Sequence, residues 1–139
     1  MLTATLSGTI TSPSVELVRE AIDLASATGS TAMVLSIDTP GGDSDATFSI
    51  IELIERSPTP VITWVSPRGA KAWSAGTYIL MSSHVAAMAP NTIIGSCQPV
   101  TYSPTEGAKT VDDPKIINAL SAMLAEKAKM HGRNQDVAR

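Results

Sequence analysis

TAMVLSIDTPGGD, residues 31–43, is a short apolar run from Thr31 to Ile37 that ends in a glycine-containing turn, Asp38 to Asp43. A run of that length with little polar alternation reads as a strand buried on both faces, the pattern of a parallel sheet covered by helices. Downstream, Ser44 is placed to cap a helix reaching Arg56, with Ile50, Ile51 and Ile54 on its inner face, and Ser57-Pro58-Thr59-Pro60 ends it. Upstream, Leu2 to Ile10 alternates like a strand and Ser12-Pro13-Ser14 starts a helix. Val15, Val18, Ile22 and Ala25 then recur at helical spacing until Gly29.

The alternation continues toward the C-terminus. Val61–Val65 (VITWV) is a third strand, and Ser66–Leu80 (SPRGAKAWSAGTYIL) is a loop that turns into a helix at Ser74. Val85–Met88 is a fourth strand, Pro90-Asn91 a turn, and Thr92–Gly95 a short strand. Tyr102–Asp113 is polar, carries Pro104 and Gly107, and reads as a mobile loop. Lys115–His131 is a final amphipathic helix with Ile116, Leu120, Met123, Leu124 and Ala128 apolar. This order predicts one α/β domain over residues 1–139 with a mainly parallel sheet. Ligands of such sheets sit at the carboxyl ends of the strands, which puts the Gly41-Gly42 turn and the Ser74 loop on the same end.

Composition narrows the function. With 43% apolar residues the 139-residue chain can bury a core, and 10 basic against 13 acidic residues leave no cationic patch. Aromatics are 4%, so neither phosphate neutralisation nor base stacking is supported and nucleic acid is not an expected partner. The single cysteine, Cys97, excludes an internal disulfide. His84 and His131 stand alone without metal-ligand spacing, so neither a metal nor a cofactor is expected. No apolar run approaches a membrane span, and Met1 leads into a strand-like segment with no charged leader, so the chain itself is expected to be soluble and to lack a signal peptide.

Ser74 lies among Ala70, Ala72, Ala75 and Gly76 at a loop-to-helix turn. It is either an N-cap or a nucleophile whose oxyanion hole shares the same backbone. Gly41-Gly42 is either a tight turn or a source of an amide donor for a carbonyl oxygen. A serine nucleophile needs a base, and neither histidine suits. His84 is at the far end of the Ser74 helix, and His131 ends the last helix. A lysine serves when its amine is neutral, as in an apolar pocket. Lys115, opening the last helix between Pro114 and Ile116-Ile117, is the preferred candidate, with Lys71 and Lys109 as alternatives.

Three ordered motifs, DTPGG (Asp38–Gly42), AKAWSAGTYI (Ala70–Ile79) and APNTIIGSCQP (Ala89–Pro99), resemble the NfeD-type, stomatin-operon partner serine proteases. Their superfamily is that of the Clp proteases and crotonases, built from repeated ββα turns. The resemblance implies a Ser–Lys dyad of Ser74 and Lys115, with an oxyanion hole at Gly42 or Gly41 and at Ala75. It implies hydrophobic peptide substrates, including a segment of a stomatin-like protein, a homo-oligomer such as a dimer, and membrane association of a longer parent. It also implies a family domain continuing beyond Arg139 with further strand and helix. Cys97 falls near the place of the Clp histidine and is read as a small buried residue, and Trp73 as a group narrowing the pocket beside the serine. The rivals are an acyl-CoA enzyme of the crotonase kind, which needs acid and base carboxylates although nothing places Glu52 and Glu55 of the second helix in the cleft, and a catalytically silent stomatin-binding module.

Overall fold

The computed structural model describes residues 1–134 and 136. In chain order its elements are β1 (Leu2–Ser7), α1 (Ser12–Ala27), β2 (Met33–Asp38), α2 (Ser44–Glu55), β3 (Val61–Val65), β4 (Lys71–Trp73), α3 (Ala75–Ser82), β5 (Val85–Met88), β6 (Ile93–Gly95), β7 (Val100–Ser103), β8 (Gly107–Thr110) and α4 (Pro114–Met130). The main sheet runs β1-β2-β3-β5, every pair parallel. A second ladder lies beside it. There β4 pairs in parallel with β6, and isolated parallel bridges join Thr39 to Ala72 and Ile10 to Gly42.

The two ladders reveal the repeat. Each turn is a main-sheet strand, a short segment in the second ladder, and a helix. Thus β1 is followed by Ile10 and α1, β2 by Thr39–Gly42 and α2, β3 by β4 and α3, and β5 by β6 and, beyond a hairpin, α4. Successive helices pack on one another, α1 on α2, α2 on α3 and α3 on α4. The expected ββα turns are therefore present.

Packing accounts for where the sequence reading holds and where it changes. On β2, Met33, Leu35 and Ile37 are fully buried, whereas Val34, Ser36 and Asp38 are half-buried. The strand expected to be covered on both faces is thus covered fully on one. Trp64 of β3 is likewise 43% exposed between buried Thr63 and Val65. Each fully buried aliphatic side chain contributes about 1.5–3 kcal/mol, so the Met33–Ile37 face anchors the sheet. By contrast α4 buries only Leu124, Ala125 and Ala128, all in its second half.

Four local expectations are corrected. The first strand ends at Ser7, since Gly8 takes φ +76° and breaks the ladder before Ile10 bridges elsewhere. Asp43, not Ser44, caps α2, its carboxylate accepting from the Ala46 N–H at 2.8 Å. Lys71–Trp73 is a strand inside what reads as loop, formed because Thr39 and β6 supply partners on both sides. Residues 100–110 form an antiparallel hairpin in place of a mobile loop. Pro104 sits in its turn and Gly107, at φ +74°, opens the return strand.

Candidate active site

Strand β4 ends at Trp73, α3 begins at Ala75, and Ser74 is the single residue between them. Its backbone takes φ 50° and ψ −113°, outside the ordinary regions for a residue with a side chain. Such a conformation costs of order 1–3 kcal/mol and persists only where its surroundings enforce it. Here the Ser74 N–H donates to the Gly95 carbonyl at 2.8 Å. The Thr77 hydroxyl donates to the Ala72 carbonyl at 2.7 Å and accepts from the Gly95 N–H at 2.9 Å, which ties β4, β6 and α3 together around the serine. Gly76 is required by the same crowding, since a Cβ there would lie 2.7 Å from Thr39 Cγ2.

Ser74 stands at the N-cap position, yet its hydroxyl makes no capping hydrogen bond. It is half-buried and lines a cavity of about 110 Å3 together with Gly42, Ala75, Thr47, Phe48 and Tyr78. The turn places it as strand-to-helix elbows place a nucleophile, side chain outward at the positive end of a helix.

The glycine pair faces this serine. A Cβ on Gly41 would lie 3.0 Å from Ser74 Cβ and 3.5 Å from the Ala75 nitrogen. Gly41 has φ +114°, which glycine tolerates. Its N–H is engaged with Thr39 Oγ1 at 3.1 Å. Gly42 is held by parallel bonds on either side, Ile10 N–H to the Gly41 carbonyl at 2.9 Å and Asp43 N–H to the Ile10 carbonyl at 3.0 Å. Among the described residues no hydrogen bond engages the N–H of Gly42 or of Ala75. Gly41 thus supplies the close approach, and Gly42 and Ala75 the two unpaired donors beside Ser74.

Lys115 is not brought to the serine. It lies exposed in the first turn of α4, where its backbone N–H donates to Asp113 Oδ1 at 2.9 Å, and its amine makes no hydrogen bond to Ser74. The alternatives are occupied elsewhere. Lys71 Nζ stacks 5.4 Å from the Trp73 ring centroid, and Lys109 pairs with Glu106 on the hairpin. Trp73 does not line the serine cavity, so the expected narrowing by its ring is corrected. The carboxylates are also diverted. Glu52 pairs with Arg56 at 2.9 Å and Glu55 with Lys127, and among the described residues no acidic side chain lines the cavity.

The histidines pack against each other at the opposite end of α3. Their rings meet edge to face with centroids 6.0 Å apart, and His84 Nδ1 accepts from the Val61 N–H at 3.1 Å. Two groups in the cavity wall escaped sequence reasoning. Tyr78, one helical turn beyond Ser74, has its phenol pushed up to about 12 by burial and by the neighbouring Cys97, so it stays neutral. Its i+4 spacing from Ser74 was the available signal. Leu120 reaches the cavity from α4, and only its helical face was legible. Burial also pushes the Cys97 thiol up, partly opposed by a hydrogen bond with Thr77. Cys97 is half-buried, in keeping with a packing residue more than a thiolate nucleophile. Among the described residues no group of side chains could hold a metal ion, and no helix is long and apolar enough to cross a membrane.

An α/β spiral of ββα turns with a serine at a strained strand-to-helix elbow is a Clp-protease-like fold. The profile of the NfeD1b N-terminal domain matches residues 5–139, and the chain belongs to that family. It is 40% identical over 135 residues, 97% of its length, to the membrane-bound protease PH1510 of Pyrococcus horikoshii, of which it spans 31%. It resembles two solved structures of the 1510-N membrane-bound stomatin-specific protease. One is a lysine-to-alanine variant in complex with a substrate peptide, the other a serine-to-alanine variant. Each is 39% identical with a TM-score of 0.92, and the match covers 99% of this chain and 63% and 66% of theirs. The chain therefore spans about a third of the curated relative and just under two thirds of the solved chains.

Proposed function

We propose that this domain is a serine endopeptidase with Ser74 as nucleophile and Lys115 as base. The observation that carries the reading is the pair of unengaged N–H groups, Gly42 and Ala75, flanking an uncapped and partly exposed Ser74. The Lys115 amine takes the Ser74 proton as Oγ attacks the peptide carbonyl. The two amides hold the resulting oxyanion, each worth about 10²–10³-fold in rate. The Lys115 ammonium then protonates the leaving amine, and water hydrolyses the acyl-enzyme.

Two further facts support Lys115. The serine and lysine replaced in the two solved relatives stand 41 positions apart, as Ser74 and Lys115 do. Lys115 also starts the helix whose apolar face walls the serine cavity through Leu120. Lys115 reaches the serine as a bound polypeptide draws the start of α4 toward the cavity. The substrate is an apolar polypeptide segment, with a stomatin-like protein as natural target by analogy with the solved relatives. The domain works as a homo-oligomer, a dimer at least, within a membrane-associated protein.

Replacing Ser74 by alanine is expected to abolish cleavage of an apolar peptide and covalent labelling by a fluorophosphonate. Wild-type turnover by the variant would refute the assignment. Peptide binding without turnover by the wild-type protein would favour a silent binding module.

A further inference from the structure

Two cavities meet at Leu120. The smaller, about 110 Å3, contains Ser74 and its two amide donors and is bounded by Thr47 and Phe48 of α2. The larger, about 820 Å3, runs beneath α4 past Met81, Ile94 and Leu124. Tyr78, Cys97, Pro99 and Leu120 line both, so the cavities share one wall. Tyr78 belongs to the buried α3, and Cys97 and Pro99 belong to the segment leaving β6. Leu120 alone enters that wall from α4, which makes it the part of the partition that a side-chain change can open or close.

We propose that Leu120 is a specificity-determining residue. It confines the substrate side chain beside the scissile carbonyl to a small or branched aliphatic one, while adjoining apolar residues of the polypeptide occupy the larger groove. The inference rests on Ser74 being the nucleophile.

Size and polarity carry it. The space beside Ser74, about 110 Å3, is smaller than the cavity of about 150 Å3 that takes up a benzene ring, so it suits an aliphatic side chain better than an aromatic one. Among the described residues neither acid nor base lines the smaller cavity, and its polar groups are hydroxyls, a thiol and backbone. A charged substrate side chain would lose its water there without gaining a partner. In the larger groove Arg133 is the one charged lining residue among the described residues, and its guanidinium already donates to the Met81 carbonyl at 2.8 Å and the Ser83 carbonyl at 3.0 Å. That groove therefore suits an apolar stretch of polypeptide.

The test uses the full chain and three short peptides ending in an aminocoumarin amide, with alanine, valine or phenylalanine next to the scissile bond. Wild-type kcat/KM is expected to favour valine over phenylalanine by about 10-fold or more. Leu120→Ala opens the partition and is expected to bring that ratio to about 3-fold or less. Leu120→Phe fills the small cavity and is expected to move the preference from valine to alanine. Wild-type protein that cleaves the valine and phenylalanine peptides equally would overturn the proposal. So would variants that slow all three peptides by one common factor, the signature of a merely structural leucine. Fluorophosphonate labelling of Ser74 separates the two levels. Labelling with flat peptide ratios sinks the specificity proposal alone, whereas neither labelling nor cleavage sinks the nucleophile and this proposal together.

Discussion

At the scale of single residues, the site depends on backbone more than on side chains. Gly42 is the sharpest case. A Cβ built there would lie 2.2 Å from the Ile10 carbonyl oxygen and 2.5 Å from the Ile10 nitrogen, both fixed by ladder bonds. Gly42→Ala must therefore displace backbone, and overpacking of that kind costs about 1–3 kcal/mol. The expected outcome is a lower unfolding midpoint in urea together with loss of turnover, because the same shift moves an amide donor. A Gly42→Ala protein with unchanged midpoint would show that the turn yields freely. Lys115 makes a different residue-scale prediction. As the proposed base it should be indispensable, so Lys115→Ala is expected to abolish peptide turnover without lowering the unfolding midpoint, and wild-type turnover by that variant would remove it from the mechanism.

At the scale of elements, the short strand β4 and the helix α2 shape the site. Strand β4 exists because Thr39 and β6 flank it, its Trp73 N–H donating to the Thr39 carbonyl at 3.0 Å, and it delivers Ser74 to the elbow. The N-terminal end of α2 supplies Thr47 and Phe48 to the serine cavity, just past its first turn. That turn is capped by the Asp43 carboxylate on the Ala46 N–H. Asp43→Ala should cost about 1 kcal/mol, the usual loss for such a cap. Chemical denaturation checks the size, and a change within error would show that Ser44 takes over the cap. Sequence legibility divides along the same line. Strands β3 and β5 match their expected bounds because each is an apolar run between clear breaks. Strand β4 escaped because KAW carries no pattern of its own and pairs only with distant segments.

At the scale of the whole molecule, α4 is moored by its far end. Leu124, Ala125 and Ala128 are buried, Lys127 pairs with Glu55 of α2, and Arg133 binds two carbonyls at the end of α3. His131 lies in that mooring with its Nε2 buried and unpartnered among the described residues. Burial holds its pKa below the ordinary value of 6.5, helped by Arg133, His84 and Lys127 and opposed by Glu55. The unfolded chain therefore binds a proton more readily than the folded one, and stability falls as pH drops through about 6.5. Thermal unfolding at pH 7.5 and pH 5.5 should show a decrease that is smaller in His131→Gln. An equal decrease in both proteins would place the acid sensitivity elsewhere.

The sequence by itself determined the alternation of strand and helix, the parallel sheet, and the turns that carry Gly41-Gly42 and Ser74-Ala75. Those features are local, since apolar runs, glycine turns and helix starts are written in neighbouring residues. Only the tertiary structure decided how Gly42 is held beside the serine, because Ile10 bridges it from a distant part of the chain. It also decided that Ser74 leaves its helix uncapped, that Trp73 turns from the cavity, and that Leu120 stands between two cavities. These depend on segments far apart in the chain meeting in space, a relation that no local pattern records.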